Sequence, residues 1–246
     1  MRDDVTARLQ RLNREFYQQF AGPFDETRAR PQPGVLRALG RVPLTASVLD
    51  LGCGGGVLAA ALAARGQRGA YLGIDSSEAL LARARSRPLP MPFGFQRLEL
   101  TEAGWEERLP RPWDRVLLFA LLHHIPGAAA RARLVAALPS LLGADGEAVV
   151  SVWDPLASAR LRQRCLPWET AGLRADDVEP GDLLMDWRRG GRGLRYVHCF
   201  DPDGLAALAA AAGLDVVESY RADGEGGRLG LYQVWRPAAA SGAGVF

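Results

Sequence analysis

The feature that most constrains this chain is an acidic residue followed by four closely spaced glycines, in the segment 50-DLGCGGG-56. The β-rich run Ser47–Leu51 leads into this segment, and an alanine-rich helical stretch follows it to about Arg65. A glycine turn between a strand and its helix lets the backbone approach a ligand at the carboxyl edge of a sheet. The segment therefore predicts a strand, a ligand-binding turn and a helix.

Around this turn, short β-rich runs alternate with helical runs along most of the chain. Strands separated by helices form right-handed βαβ units and a parallel sheet covered on both faces. The predicted fold class is therefore α/β, with a mostly parallel, doubly wound sheet. The further predicted strands are Tyr71–Ile74, Phe93–Leu100, Arg115–Phe119, Ala148–Trp153, Leu214–Ser219 and Leu229–Trp235. The further predicted helices are Glu78–Arg85, roughly Ala129–Leu142, and Pro202–Ala212, which Gly213 ends.

The first 40 residues predict a helical cap on this core. The helical spacing of apolar side chains predicts an amphipathic helix over residues 3–21 that lies on the main domain. A loop over residues 23–33 and a short helix around Val35–Leu39 are predicted to follow. The apolar side chains of the first helix are Val5, Leu9, Leu12, Phe16 and Phe20.

Residues 154–198 interrupt the alternation, since they are rich in arginine, tryptophan and proline and show no clean period. Because no internal repeat is visible, we predict one domain with a substrate-facing insertion. The predicted division is an N-terminal cap (1–40), the core (41–153), the insertion (154–198), a C-terminal helix and strands (199–236) and a disordered tail (237–246).

Composition and charge limit the classes of function. All 30 basic residues are arginines, and the formal net charge of +2 is too small to predict nucleic-acid binding by itself. The three cysteines form no CxxC pair and no disulfide framework, which is usual in a reducing cytosol. The N-terminus has no apolar signal core, and no charge-free apolar run reaches the roughly 18 residues of a membrane span. We therefore expect a cytoplasmic protein with no membrane partner.

The glycine spacing distinguishes between classes of cofactor. A dinucleotide-binding GxGxxG pattern would need a glycine where the chain has Val57. The spacing instead resembles the D/E-x-G-x-G-x-G pattern of S-adenosylmethionine (SAM)-dependent methyltransferases, with Asp50 as its acid. The resemblance implies a Rossmann-like class I methyltransferase fold and SAM as the cofactor.

Asp75 ends the second predicted strand, about 20 residues beyond the glycine loop. A carboxylate there offers two acceptor oxygens to the two ribose hydroxyls. The alternative is a helix N-cap, which Asp75 or Ser76 could provide. NAD enzymes also place an acid here, so Asp75 predicts a nucleoside without naming it. The resemblance implies these cofactor-binding residues: Asp50, Gly52, Gly54, Gly56, Asp75, Ser76, Glu99 and Leu100 near adenine, and Ala120 near the amino group.

Two segments outside the core, FYQQFAGPFDETRARPQP and LRYVHCFDPDGLAALAAAAGL, narrow the resemblance. Their F-x-x-T-R and R-Y-x-H-x-F patterns resemble the family that methyl-esterifies 5-carboxymethyluridine at the wobble position of tRNA. The segments LLHHIPG and VVSVWDP are similar to the same family, whereas little aligns over residues 154–186. The resemblance implies tRNA as the acceptor and leaves open a small activator protein, which eukaryotic relatives need.

Two other functions stay open. The small net charge and the unaligned residues 154–186 are also compatible with a small-molecule carboxyl, O- or N-methyltransferase. A SAM-binding regulatory subunit without enzymatic activity is the third interpretation, and the intact glycine loop and Asp75 argue against it.

The resemblance also implies residues that act on the acceptor. A carboxylate acceptor is already anionic, so it needs orientation rather than a general base, and an arginine fork suits it. Arg28 and Arg195 are the candidates, with a surface arginine as the alternative for each. Trp153 and Tyr196 are candidates for stacking on an unpaired base, with core packing as the alternative.

His123 and His198 are the candidate catalytic histidines. His123 and its neighbour His124 follow the fourth predicted strand, at the edge where the acceptor approaches. A histidine acting as general base is compatible with a hydroxyl or amine acceptor. In the alternative, one of the pair packs and the other hydrogen-bonds near the cofactor. No cysteine or acid has zinc-like spacing to the histidines, so no metal site is predicted.

Overall fold

The protein, seen in a computed structural model, is described over residues 1–28, 30–89 and 92–239. Ten strands in these residues form two sheets. The strands are β1 (Val48–Leu51), β2 (Tyr71–Asp75), β3 (Phe93–Arg97), β4 (Trp113–Phe119), β5 (Leu142–Trp153), β6 (Cys165–Leu166), β7 (Asp182–Trp187), β8 (Gly193–His198), β9 (Leu214–Ala222) and β10 (Gly230–Pro237).

The main sheet has seven strands in the order β3-β2-β1-β4-β5-β10-β9. Neighbouring strands are parallel except at β10, which is antiparallel to both β5 and β9. Successive side chains of each strand point to opposite faces, and both faces are buried, as in parallel sheets covered by helices. The predicted α/β, doubly wound fold is therefore confirmed. Val48, Leu117 and Val149 pack on one face, and Leu49, Leu118 and Val150 pack on the other.

The helices cover the two faces of this sheet and its carboxyl edge. They are α1 (Asp3–Gln19), α2 (Ala21–Glu26), α3 (Pro33–Leu39), α4 (Val57–Ala64), α5 (Glu78–Arg85), α6 (Ala128–Ala136), α7 (Leu138–Leu141), α8 (Ala159–Arg162) and α9 (Pro202–Ala211). The hydroxyl of Ser77 accepts from Leu80 N at 3.3 Å, so Ser77 caps α5, rather than Asp75 or Ser76. Across the described residues, no helix is long and apolar enough to cross a membrane.

The predicted loop over residues 23–33 is wrong at its start, because residues 23–26 belong to α2. Pro23 does not prevent this helix, since a proline in the first turn removes an N–H that has no intrahelical acceptor. Phe24 packs edge-on against Tyr17 of α1, with 5.1 Å between the ring centroids. This contact with a neighbouring helix stabilises a helix too short to be recognised from its own sequence.

Residues 154–198 contain the second sheet, in which β6, β7 and β8 are antiparallel. Such short strands show too few residues on each face for a period to be visible in the sequence. Asn13 of α1 joins this sheet, because its Oδ1 accepts from Tyr196 N at 2.8 Å. The Nδ2 of Asn13 also donates to His124 O at 2.9 Å, just after β4. The helix α1 and the second sheet thus cover the carboxyl edge of the main sheet.

Three predicted elements inside the core differ from the structure in their boundaries. Strand β5 begins at Leu142 rather than Ala148, because Leu142 pairs with Trp113 across a register shift in β4. The predicted helix Ala129–Leu142 is divided into α6 and α7. Strand β3 also ends earlier than predicted, at Arg97.

The predicted disordered tail, residues 237–246, begins too early. Pro237 is the last residue of β10, and Ala238 N donates to Gly213 O at 2.9 Å. Residues 240–246 of this tail lie outside the described residues.

The order of the strands places a crevice between β1 and β4. The chain runs outward from β1 to β2 and β3, and then crosses back to β4 on the other side of β1. The loops after β1 and β4 therefore leave the sheet in opposite directions. Open α/β sheets bind ligands at such a switch point.

Candidate functional site

A cavity of about 280 Å³ lies at this switch point, and we call it the crevice cavity. The carboxyl ends of the central strands form its floor, and α1, α2 and the β9–β10 hairpin form its sides. Of the residues predicted from the sequence, its walls include Arg28, Asp50, Gly52, Gly54, Asp75, Ser76, Glu99, Leu100, Ala120 and Trp153. The predicted residues Gly56, His123, Arg195, Tyr196 and His198 are not among the wall residues.

The glycines of the loop have different roles. Gly52 and Gly54 have φ angles of +80° and +53°, a left-handed backbone that glycine adopts without strain. A Cβ at Gly54 would meet no atom within 4 Å, so this backbone is open to the cavity. A Cβ at Gly56 would instead come 2.9 Å from the Cβ of Ala84 in α5. Gly56 therefore allows close helix packing, and it is not among the wall residues of the crevice cavity.

Asp75 connects the glycine loop to the start of α5. Its Oδ2 accepts from Gly54 N and its Oδ1 accepts from Ser77 N, each at 2.9 Å. Burial raises the pKa of the Asp75 carboxyl, and these two backbone donors oppose the shift. Each oxygen keeps a lone pair that can accept a hydrogen bond from a ligand. This geometry fits the two hydroxyls of a ribose.

The residues after β3 and β4 complete this half of the cavity. Glu99 accepts from the Thr101 hydroxyl at 2.8 Å and lies 3.6 Å from the guanidinium of Arg14. Ala120 has a φ of +52°, which is uncommon for a residue with a Cβ, and its N–H donates to the Ser151 hydroxyl at 3.0 Å. A strained backbone held in this way is typical of functional sites. These positions fit the adenine and amino-acid ends of SAM, as the sequence resemblance implies.

Asp50 supports the loop from below. It is 2% exposed, and its Oδ2 accepts from the Tyr71 hydroxyl at 2.6 Å. Burial raises the pKa of the Asp50 carboxyl to about 7, and the bond from Tyr71 opposes this rise. The carboxyl is therefore partly protonated at neutral pH.

We expect the pKa of Asp50 to make the wild-type protein less stable as the pH rises from about 4 to about 7. In this range the folded state holds a proton that the unfolded state has lost, so the free energy of unfolding falls with pH. A shift of about three units corresponds to a loss on the order of 4 kcal/mol. Denaturant unfolding of the wild type and of Asp50→Asn over this range measures the difference.

Asp3→Asn is the control, since Asp3 is exposed in the first turn of α1. If the stability difference between the wild type and Asp50→Asn does not change with pH, the raised pKa is wrong.

The two histidines after β4 have different surroundings. His124 lines the cavity, and its Nδ1 lies 3.3 Å from Tyr196 O, so Nδ1 carries the proton and Nε2 keeps a lone pair. His123 is fully buried, and its Nδ1 accepts from Trp153 N at 3.3 Å. Burial lowers the pKa of His124 to about 3 and that of His123 well below its ordinary value. Both rings are neutral, and His124, rather than the predicted His123, faces the cavity.

Two arginines lie against the ring of Trp153. The guanidinium carbons of Arg28 and Arg195 are 4.3 and 4.9 Å from its ring centroid. Arg28 faces the cavity, whereas Arg195 is 4% exposed and lies behind the wall. Within residues 1–28, 30–89 and 92–239, neither guanidinium forms an ion pair, and the Nε and Nη1 of Arg195 have no hydrogen-bond partner.

Burial lowers the pKa of both guanidinium groups, that of Arg28 to about 10, and both remain charged at neutral pH. Two buried positive charges beside two neutral imidazoles give this side of the cavity a positive potential. Buried charges are costly unless they are paired, so the site is suited to a bound anion.

Tyr196 and His198 have structural contacts instead of the predicted contacts with the acceptor. Tyr196 is fully buried, and its hydroxyl donates to Asp182 Oδ1 at 2.6 Å. The Nδ1 of His198 lies 2.7 Å from the same oxygen. Glu179, Asp182 and His198 are close enough to hold a metal ion, but Glu179 is paired with Arg131 at 2.6 Å. This network joins β7 to β8 and to α6.

Sequence reasoning missed Asp25, which joins α2 to α5 beside the glycine loop. Asp25 is 7% exposed and pairs with Arg83 of α5 at 2.9 Å. A Cβ at Gly55 would overlap the Asp25 carboxylate. The signal in the sequence was Gly55 itself, because the D-x-G-x-G-x-G pattern does not require a glycine there. Asp223 and Tyr232, which line the cavity from the β9–β10 hairpin, were also missed, and no motif marks them.

The chain belongs to the methyltransferase-domain family, whose model matches residues 10–219. Together with the seven-stranded sheet and the loop at its switch point, this match defines the chain as a SAM-dependent methyltransferase. The predicted enzyme class and cofactor are confirmed.

Curated relatives include the ubiquinone biosynthesis O-methyltransferase of Pseudomonas fluorescens (strain SBW25), which is 38% identical over 79 residues. The match covers 32% of this chain and only 33% of that enzyme. Among solved structures, the CcbJ methyltransferase from Streptomyces caelestis has a TM-score of 0.64 at 20% identity, covering 91% of this chain and 98% of CcbJ. The DhpI–SAH complex has a TM-score of 0.66 at 19% identity, covering 95% of this chain and 99% of DhpI. At these identities the similarity concerns the fold.

Proposed function

We propose that this methyltransferase transfers the methyl group to a carboxylate oxygen of a small acceptor and forms a methyl ester. The observation that carries the proposal is Arg28, whose guanidinium faces the cavity and forms no ion pair within the described part of the chain. The carboxylate of the acceptor would form an ion pair with Arg28 through two charge-assisted hydrogen bonds. Curated relatives named as ubiquinone biosynthesis O-methyltransferases support oxygen as the acceptor atom and a small molecule as its carrier.

The ionisation of the cavity supports a carboxylate. SAM supplies the methyl group on a sulfonium centre. The carboxylate oxygen forms the new C–O bond with its own lone pair, the methyl–sulfur bond breaks, and its electron pair stays on sulfur, so no proton moves. A hydroxyl or amine acceptor would need a base, and His124, with a pKa of about 3, is too weakly basic for that role.

Aromatic side chains form the rest of this side of the cavity. Tyr17, Phe24 and Trp153 line it beside Arg28, and the ring of Phe24 lies 5.5 Å from the Arg28 guanidinium carbon. Apolar walls exclude water from an ion pair and strengthen its orientation, which is the main requirement for a carboxylate nucleophile.

The second candidate acceptor is the 5-carboxymethyluridine of tRNA, which carries the same carboxylate on a larger molecule. The two segments that resemble the tRNA-methylating family contribute Arg28 and Arg195. Their guanidinium carbons lie 4.3 and 4.9 Å from the same Trp153 ring. This convergence supports the tRNA candidate, whereas the burial of Tyr196 removes one predicted stacking surface.

Tritiated SAM with a panel of small carboxylates, and separately with bulk tRNA, tests the proposal. We expect alkali-labile label in the small carboxylates, with little dependence on salt. Alkali-labile label in tRNA that falls steeply with salt would favour the second candidate. Alkali-stable label in either pool contradicts ester formation.

No label in either pool, with cofactor binding intact, would favour a regulatory subunit. Label that appears only after a second protein is added would indicate an activator.

A further inference from the structure

The β9–β10 hairpin and the end of β5 contribute a second polar wall to the crevice cavity. Its polar side chains are Asp223, Tyr232 and Ser151, and we call it the hairpin wall. Asp223 is 9% exposed and has a φ of +66°, which is uncommon for a residue other than glycine. Its Oδ1 accepts from Gly34 N at 2.7 Å, and its Oδ2 accepts from the Tyr232 hydroxyl at 2.5 Å. The carboxylate is therefore held in one orientation.

Ser151 and Tyr232 of the hairpin wall also take part in hydrogen bonds within the protein. Ala120 N donates to the Ser151 hydroxyl at 3.0 Å. The Tyr232 hydroxyl donates to Asp223 Oδ2. Because the Tyr232 proton is directed at Asp223, the wall offers the cavity oxygen lone pairs and the charge of a carboxylate.

Asp223 forms no ion pair within the residues that the structure describes. Arg221, in the same hairpin, pairs with Asp154 at 3.0 Å instead. Asp223 is near enough to influence the pKa of Arg28, although the two groups are not in contact. A carboxylate that is nine-tenths buried beside a cavity is costly without a cation or further donors.

Two glycines keep this wall in place. A Cβ at Gly230 would lie 2.7 Å from Asp223 Oδ2 and 2.7 Å from the Tyr232 ring. A Cβ at Gly34 would overlap the Tyr232 ring and approach the Ala222 side chain to 2.8 Å. The position of Tyr232 against Asp223 therefore depends on the absence of side chains at both sites.

We propose that the hairpin wall binds a primary ammonium group of the acceptor. The inference rests on the proposed function, since the same acceptor would present its carboxylate to Arg28. One side of the crevice cavity then offers donors and positive charge, and the hairpin wall offers acceptors and negative charge. A zwitterion of amino-acid type is complementary to both, and this fixes which end meets the methyl group.

Calorimetric binding to the complex with S-adenosylhomocysteine tests this inference. The ligands are ω-amino carboxylates of increasing length, each matched with the alkyl carboxylate in which methyl replaces ammonium. At one length, we expect the wild-type protein to bind the amino ligand about tenfold to 100-fold more tightly than the alkyl ligand. Charge-assisted hydrogen bonds typically contribute an affinity of this size. In Asp223→Asn this preference is expected to disappear, while the affinity for the alkyl ligand stays the same.

The asparagine variant is expected to fold, because asparagine adopts the left-handed backbone readily and its amide oxygen can still accept from Gly34 N. Glu225→Gln is the matched control. Glu225 is exposed in the same hairpin loop, and its substitution also removes one negative charge. Tyr232→Phe is expected to weaken the preference less than Asp223→Asn does.

The inference is overturned if no length shows a preference for the amino ligand, or if the preference survives in Asp223→Asn. It is also overturned if Asp223→Asn weakens S-adenosylhomocysteine itself, because the carboxylate would then serve the cofactor's ammonium. Failure of the proposed function is distinguishable from these outcomes. If the proposed function is wrong, mass spectrometry shows an N-methyl product instead of a methyl ester, while the binding preference for the ammonium persists.

Discussion

Arg28→Gln is expected to lower kcat/KM for the acceptor by about 100-fold and to leave the affinity for S-adenosylhomocysteine close to wild type. The glutamine cannot replace a two-point contact with a carboxylate, and the loss of charge-assisted hydrogen bonds is worth about 3 kcal/mol. Trp153 and Phe24, on which the guanidinium lies, remain in place. Initial rates with tritiated SAM, together with calorimetric titration of the product, measure the two effects.

A second single variant, Arg195→Met, separates the effect of the Arg195 charge on activity from its effect on stability. Since Nε and Nη1 of the buried Arg195 have no partner among the described atoms, methionine is expected to maintain or raise the free energy of unfolding. We expect kcat/KM for the acceptor to fall about tenfold, because the second positive charge behind Trp153 is lost. Arg192→Met is the control, since Arg192 is exposed in the turn between β7 and β8, close to Arg195 in the sequence.

Two results would contradict these assignments. If Arg28→Gln weakens S-adenosylhomocysteine as strongly as it slows the reaction, Arg28 binds the cofactor's own carboxylate instead. If Arg195→Met is destabilised and retains full activity, Arg195 has a packing role.

Asp75→Ala is expected to raise the dissociation constant for SAM on the order of 100-fold. The variant loses both acceptors for the ribose and releases Gly54 N and Ser77 N, which Asp75 now holds at 2.9 Å. Each hydrogen bond to a charged group contributes about 1.5–3 kcal/mol. Calorimetric titration with SAM or S-adenosylhomocysteine measures the change, and the rate at saturating SAM is expected to change less.

Asp75→Asn should give an intermediate affinity, because the amide keeps one acceptor oxygen. Glu78→Ala is the control on the same turn, since Glu78 is exposed at the start of α5. A dissociation constant for Asp75→Ala within a few-fold of wild type would mean that the ribose binds elsewhere.

Most residues that the sequence assigns to the cofactor line the crevice cavity, because their signals in the sequence are local. A glycine is required where the backbone must be left-handed or open, and Gly52 and Gly54 satisfy that condition within one turn. Asp75 was predictable because it is the last residue of β2, and the β-rich run in the sequence already indicates where that strand ends. Gly56 packs against Ala84, a contact with another helix that the spacing of the loop does not show.

Fewer of the residues that the sequence assigns to the acceptor line the cavity, because their contacts join distant segments. His123 and His124 are adjacent in sequence, and only the packing of Tyr196 and Trp153 shows which ring faces the cavity. Tyr196 and His198 matched a motif, yet Asp182 holds both away from the cavity.

By itself, the sequence determined the α/β fold and SAM as the cofactor, and it singled out Arg28, which lines the crevice cavity. These depend on periodicity and on short spacings, which are properties of one segment at a time. The tertiary structure alone decided that Arg195 is buried with two nitrogens, Nε and Nη1, that have no hydrogen-bond partner among the described residues, and that Asp223 faces the crevice cavity. Whether a charge is paired depends on every group within a few ångströms of it, and here those groups come from both ends of the chain.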